Sequence, residues 1–117
     1  MSGAGYKKLI VWQKADQLAR SIYLFTKYFP KDELYGLTSQ LRRAGLSVPV
    51  NIVEGYARRT KKELAQFLNI SLGSLAETEY ILDFSLSLGY LNTVTHKKPQ
   101  DLRQEVGNLL WKFYQSI

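Results

Sequence analysis

This sequence contains no cysteine, which excludes structural disulfides, thiolate nucleophiles, cysteine zinc sites and iron–sulfur clusters. Its single histidine, His96, leaves no room for a histidine-based metal cluster. Asp, Glu and His do not recur at a spacing that would hold Mg²⁺ or Zn²⁺ on one helix face, and no metal or other cofactor is expected. No glycine-rich loop is present to cradle a phosphate. No apolar run approaches the roughly 18 to 20 residues needed to span a bilayer, and the Met1 to Tyr6 start lacks the apolar centre of a signal peptide. The expectation is a soluble cytoplasmic protein with no membrane partner. No strand-like alternation bounded by turn residues competes with the helical period described below.

What is present is enough for one domain. The 117 residues are 45% hydrophobic, which supports a single core and is too little for two. Residues 1–8 are read as a flexible N-terminus and 9–117 as the domain. Sixteen Lys and Arg against ten Asp and Glu leave a net charge of +6, so polyanions are the first partners to consider.

Four helices follow from period and punctuation. From Leu9 to Phe29, Val11, Trp12, Ala15, Leu18, Ala19, Ile22, Phe25 and Phe29 recur at steps of three and four, and Pro30 ends the run. The segment Asp32 to Arg59 opens with two carboxylates that suit a helix N-terminus and continues as Leu34, Leu37, Leu41, Ala44, Val48 and Ile52. Thr60-Lys61-Lys62-Glu63 fits a capping box for a third helix, which carries Leu64, Phe67, Leu68, Leu75, Leu82 and Leu86 and stops at Gly89. Tyr90 to Lys98 reads as a polar connector. Pro99 then opens a last helix with the stripe Leu102, Val106, Leu109, Leu110 and Phe113. The fold class is all-α, an antiparallel up-down four-helix bundle with a Pro-kinked second helix. Its two long central helices would run about 40 Å each.

The second helix carries a continuous polar line. At about 100° per residue, Gln40, Arg43, Ser47, Asn51, Glu54 and Arg58 share one narrow strip. Leu37, Leu41, Ala44, Val48, Ile52 and Gly55 lie on one side of it, and Leu46, Val50, Val53 and Ala57 on the other. One apolar side faces the bundle, and the second needs its own cover. The third helix repeats the pattern, with Ile70, Ile81, Phe84 and Leu88 forming a second strip around Glu77. Self-association supplies that cover and predicts a homo-oligomer; the alternative is packing inside a thick monomeric core. The polar line itself reads as a structural network at a helix interface, with Arg43 or Arg58 paired to Glu54 or Glu77. Pro49 removes an amide and crowds the Gly45 carbonyl, which predicts a bend there with Ser47 available to a freed carbonyl. Gly73 is expected to permit a close helix crossing.

The same residues carry a resemblance. Val11-Trp12-Gln13-Lys14-Ala15, Phe29-Pro30, Tyr35-Gly36-Leu37, Ser39-Gln40-Leu41-Arg42-Arg43-Ala44, Ser47-Val48-Pro49 and Asn51-Ile52-Val53-Glu54-Gly55 occur in that order. Arg58, Phe67-Leu68 and Gly73-Ser74-Leu75-Ala76-Glu77 follow. Together they resemble the small bacterial four-helix-bundle proteins named after reading frames in intervening sequences of 23S ribosomal RNA genes. The match runs from about Leu9 to Leu91, and the last helix agrees by pattern only. The resemblance implies an antiparallel bundle assembled into a ring, usually a pentamer. It also implies a relation to the accessory variability protein of diversity-generating retroelements, a basic pentamer that binds nucleic acid and a reverse transcriptase. Val50 and Val53 stand where alanines are common in that family, Gly45 stands where alanine or serine is usual, and the N-terminal motif differs from the retroelement branch.

Two functions are compatible with these features. In the first, a non-enzymatic basic scaffold binds RNA or an RNA/DNA hybrid through Lys7, Lys8, Arg42, Arg58, Arg59, Lys61, Lys62, Lys97 and Lys98. Tyr56 and Tyr90 flank these clusters, where an aromatic ring either stacks on an unpaired base or packs on the bundle. In the second, the ring is a protein-interaction adaptor and charge only steers encounter. Catalysis is not expected. His96 falls in the connector beside Lys97 and Lys98, a solvated position without a nucleophile, and Glu54 and Glu77 each have a nearer role as an arginine partner.

Overall fold

The computed structural model describes residues 4–117. Four α-helices make up the chain: α1 (Ile10–Phe25), α2 (Leu37–Tyr56), α3 (Lys61–Ser87) and α4 (Thr93–Ser116). Single 3-10 turns occupy Gly5–Lys8, Thr26–Tyr28 and Lys31–Glu33, and no strand occurs among the described residues. Each helix packs on its neighbours in sequence, and α4 closes the bundle against α1. The links α2–α3 and α3–α4 are a few residues long, which obliges those pairs to run antiparallel. The molecule measures 43 × 24 × 20 Å.

The core is aliphatic. Leu18, Ile22, Leu41, Val48, Ile52, Leu68, Leu82, Val106 and Leu110 are fully buried, each contributing about 1.5–3 kcal/mol on removal from water. These are the residues whose spacing marked the inner faces. One strip residue is misplaced by the periodicity: Ile81, expected on the outer face of α3, is only 2% exposed and belongs to the core.

Besides α2 stopping at Tyr56 rather than Arg59, the helix ends differ from expectation in four places, each for a local reason. First, α1 ends at Phe25, four residues early, where Thr26 Oγ1 donates to the Ile22 carbonyl at 2.6 Å and the chain tightens into a 3-10 turn. Second, α2 begins at Leu37 rather than Asp32, so it spans 20 residues. Asp32 and Glu33 sit in the preceding turn, and Glu33 Oε1 reaches forward to accept from the Leu37 amide at 3.2 Å. The carboxylate still serves the positive end of α2, but from outside the helix.

Third, the Thr60 cap forms by half. Thr60 Oγ1 accepts from the Glu63 amide at 3.1 Å, and its hydroxyl donates to Glu63 Oε1 at 2.8 Å instead of the carboxylate reaching back to the Thr60 amide. At the far end of α3, Gly89 takes φ +80°, Gly89 N–H donates to the Leu86 carbonyl and Tyr90 N–H to the Ser85 carbonyl, as a glycine-closed helix end requires. Fourth, the expected connector Tyr90 to Lys98 is mostly helix. Asn92 caps α4, accepting from the Thr95 amide at 2.8 Å, while Thr95 Oγ1 accepts from the Asn92 amide at 2.9 Å. Threonine replaces the Glu or Gln usual at that capping position, so the start is easily overlooked. Pro99 therefore lies inside α4 and is buried, not in its first turn.

Residues 1–3 of the N-terminus expected to be flexible lie outside the described residues. The rest of that segment packs on the domain: Gly5–Lys8 form a turn, Tyr6 meets Trp12 edge-on with ring centroids 4.9 Å apart, and the Lys7 carbonyl accepts from Gln13 at 2.9 Å. At the opposite end, Phe25, Phe29 and Tyr90 form a chain of tilted rings. The Tyr90 hydroxyl donates to Glu33 Oε2 at 2.9 Å. That bond, followed by burial and the negative charge of Glu33 and Asp32, raises the Tyr90 pKa above its ordinary value.

Two substitutions test this account of the fold. Leu82→Ala is expected to cost about 2–5 kcal/mol in urea unfolding; a loss well under 1 kcal/mol would contradict the buried placement. Nothing lies within 4 Å of a side chain built at Gly89, so Gly89→Ala is expected to cost about 1–2 kcal/mol from its left-handed backbone alone, read in the same experiment.

Candidate functional site

Two features stand out on the surface, a polar groove between α2 and α3 and a cationic end of the bundle. The groove exists because α2 and α3 approach closely along one edge. A side chain at Gly55 would meet Leu64 Cδ1 and Phe67 Cβ at 3.0 Å, and one at Gly45 would meet Ile22 Cδ1 at 2.5 Å. Both glycines therefore admit a neighbouring helix, α3 at Gly55 and α1 at Gly45. Hydroxyls fasten the pair: Ser47 Oγ and Ser74 Oγ lie 2.7 Å apart, and Ser71 Oγ donates to the Val48 carbonyl at 2.8 Å. Asn51 braces this contact, donating to the Ser47 carbonyl at 2.8 Å and to Ser47 Oγ at 2.9 Å. Ser47 thus turns to Ser74 and not to a carbonyl freed by Pro49. Helix α2 runs unbroken through Pro49.

Above this floor opens a cleft of about 510 Å³ lined by Tyr35, Gly36, Ser39, Gln40, Arg43, Ala44, Ser47, Ser74 and Glu77. Only part of the expected polar network closes. Ser47 and Asn51 are satisfied within the chain. Gln40, Arg43, Glu54 and Glu77 are exposed, and among the described residues none of the four takes part in an ion pair. Arg58 lies over the Phe67 ring, 4.6 Å from its centroid, instead of pairing with a carboxylate. Arg43 and Glu77 stand on the groove's rim, and they, Glu54 and Arg58 are exposed, so water solvates them at little burial cost. Tyr35, Ser39 and Ser74, named in the sequence only as motif residues and not as site residues, join the cleft; the signal for Ser74 was its place one turn before Glu77.

The outer faces of α2 and α3 flank the groove. Leu46 and Val50 on α2 and Ile70, Phe84 and Leu88 on α3 are all partly open to solvent. Gly73 does not sit at a crossing within the chain, since nothing lies within 4 Å of a side chain built there.

The cationic end gathers what the sequence separates. The Gly5–Lys8 turn lies against α2, with a side chain at Gly5 placed 2.7 Å from the Tyr56 hydroxyl. Lys7 and Lys8 therefore join Arg58, Arg59, Lys61 and Lys62, which surround the tight α2–α3 link. All six are exposed, and none forms an ion pair among the described residues. Lys97 and Lys98 lie at the other end, and Lys97 Nζ is held by Asp101 at 2.9 Å.

Arg42, expected at the nucleic-acid site, and His96, expected in solvent, both have partners within the chain. Arg42 Nε donates to Thr26 Oγ1 at 2.8 Å, and its guanidinium sits 4.8 Å from the Tyr23 ring centroid. It ties α2 to the end of α1. His96 is not in a solvated connector but on α4, its side chain 16% exposed and Nε2 2.9 Å from Asp83 Oδ1. Gln100 Nε2 donates to the same Asp83 oxygen at 2.7 Å, so the imidazole belongs to an α3–α4 contact. Likewise Tyr90 is engaged by Glu33 and Phe29. Among the described residues no group of three or more His, Asp or Glu is placed to hold a metal, and no helix is long and apolar enough to cross a membrane. Arg42→Ala is expected to lower stability by about 1–2 kcal/mol while leaving any nucleic-acid affinity within two-fold; thermal unfolding and a binding titration on one preparation check both.

Comparison with known proteins agrees with the fold. The crystal structure of a protein of unknown function from the S23 ribosomal protein family of Bacteroides thetaiotaomicron superposes with a TM-score of 0.82 at 23% identity, over 91% of this chain and 96% of that one. No curated protein matches the sequence. The family described as 23S rRNA-intervening sequence protein matches residues 7–112, from within the Gly5–Lys8 turn to the last turn or so of α4. With nearly the entire chain matched and the same four helices in the solved relative, this chain belongs to the 23S rRNA-intervening sequence protein family.

Proposed function

We propose that this protein is a non-enzymatic basic scaffold that associates with itself and binds nucleic acid, RNA or an RNA/DNA hybrid, through its cationic end. The observation that carries this reading is the meeting of Lys7 and Lys8 with Arg58, Arg59, Lys61 and Lys62 at one end of the bundle. Six exposed cations without acidic partners are free to displace the counterions of a phosphate chain, which gives salt-sensitive binding.

Self-association accounts for the outer α2/α3 face. Leu46, Val50, Ile70, Phe84 and Leu88 lie beside the unpaired Arg43, Glu54 and Glu77, so a second subunit can cover the apolar strip and complete the ion pairs together. Gly73 leaves room for close approach, and a bend at Pro49 would set how far α2 leans toward the neighbour. A ring, with five subunits favoured by the family resemblance, is our reading of this assembly. At +6 per chain a pentamer would carry about +30.

A second reading, a protein-interaction adaptor, is favoured by the apolar cleft beside α1 that Tyr23, Leu24 and Leu46 line. The two readings part in a salt titration of RNA binding combined with a solution mass. The scaffold reading expects a mass near five times 13.5 kDa and RNA bound at about 50 mM salt and released as salt rises. Arg58→Glu with Arg59→Glu should weaken binding at least ten-fold and flatten the salt dependence, with Lys98→Glu as the control that changes little. A mass of one chain with no RNA bound defeats the proposal. An oligomer that ignores RNA leaves the adaptor.

A further inference from the structure

The cationic end also carries an aromatic surface that electrostatics does not explain. Trp111, near the C-terminus of α4, is 50% exposed. It stacks on Tyr114, with centroids 5.6 Å apart and ring planes 18° from parallel. Tyr114 is anchored on the core, so the pair is a braced ledge and not a loose side chain. Ordering a large indole at the surface in this way exposes a flat, preorientated ring to solvent.

Its position follows from the antiparallel packing of α3 and α4. Arg103 pairs with Glu79 at 2.9 Å, and a side chain at Gly107 would meet Leu75 Cδ2 at 3.4 Å. Trp111 lies one turn further along α4, toward the end where α3 begins with Lys61 and Lys62. The remaining separation along α3 is about 14 Å at 1.5 Å per residue, a reach of a few nucleotides. Arg58, already seated over Phe67 at 4.6 Å, stands at the same end. Cations that track a phosphate chain, with an open aromatic face a few nucleotides away, are the chemistry that binds unpaired bases. A duplex hides its base faces and has no use for the ledge.

We infer that Trp111, braced by Tyr114, is a stacking platform for a base of single-stranded nucleic acid whose phosphates run over Lys61, Lys62 and Arg58. This rests on the nucleic-acid reading proposed above and narrows it to single strands. The polar groove and the outer α2/α3 face take no part in it.

The test measures fluorescence anisotropy of a short unstructured RNA strand and of a blunt RNA duplex of equal length. Trp111→Ala is expected to weaken single-strand binding about ten-fold, within the range for removing one base-stacking ring, with duplex affinity and the slope of affinity against salt unchanged. Trp111→Phe should restore most of the loss, and the quenching of indole fluorescence by the strand should vanish in that variant, leaving only the signal of the part-buried Trp12. Circular dichroism and solution mass of both variants should equal those of the parent. Unchanged single-strand affinity in Trp111→Ala overturns the platform while leaving the scaffold reading intact. An equal loss on strand and duplex, or a changed solution mass, also overturns it and makes Trp111 a packing or subunit-contact residue. If the parent binds neither RNA, the scaffold reading fails first and the platform with it.

Discussion

The close contact of α2 and α3 is the constraint on which the rest of the structure depends. It is made possible by the missing side chain at Gly55, where Leu64 and Phe67 occupy the space a methyl would need. It is held by hydroxyls: Ser47 with Ser74, and Ser71 on the Val48 carbonyl. Small residues and short polar side chains let two backbones approach, and each buried polar atom must then find a partner inside the contact. Among the described residues no buried side-chain nitrogen or oxygen lacks one. The two sequence motifs that carry the resemblance thus meet in space. Ser47, Asn51 and Gly55 of the first and Ser74 of the second form one fastening.

That fastening decides where the charges go. With the floor of the groove satisfied by Ser47, Ser74 and Asn51, the longer side chains Arg43 and Glu77 stand at its rim and Glu54 is exposed further along α2. Burying them as an ion pair inside the bundle would cost desolvation that their attraction does not reliably repay. Exposed, they remain solvated and available. The same tight link between α2 and α3 compresses Arg58, Arg59, Lys61 and Lys62 into a few residues, and the packed N-terminal turn adds Lys7 and Lys8 from the other side. A cationic end is therefore a consequence of helix packing as much as of composition.

Most of the inner faces were legible because helix burial repeats at three and four residues, and Leu41, Val48, Ile52, Leu68, Leu82, Val106 and Leu110 obey that repeat. The helix ends were less so. Glu33 caps α2 across a turn, and Thr95 closes the Asn92 cap in place of a Glu or Gln, so neither announces itself by local pattern. Within the site, the cationic residues were legible as types, but which of them are free was not. Arg42 looks like Arg43 in sequence; one is held by Thr26 and Tyr23, and the other is not.

The sequence by itself determined the all-helical class, the four inner stripes, the cap at Thr60, the glycine-closed end at Gly89 and the family. These depend on local backbone chemistry and on a period of 3.6, both written along the chain. Only the tertiary structure decided that His96 joins Asp83, that Ile81 is core, that Ser47 meets Ser74, and that residues 7 and 62 share one end of the bundle. Each of these depends on the register of one helix against another, and that register is set where the side chains of two helices meet, so it is written in neither helix alone.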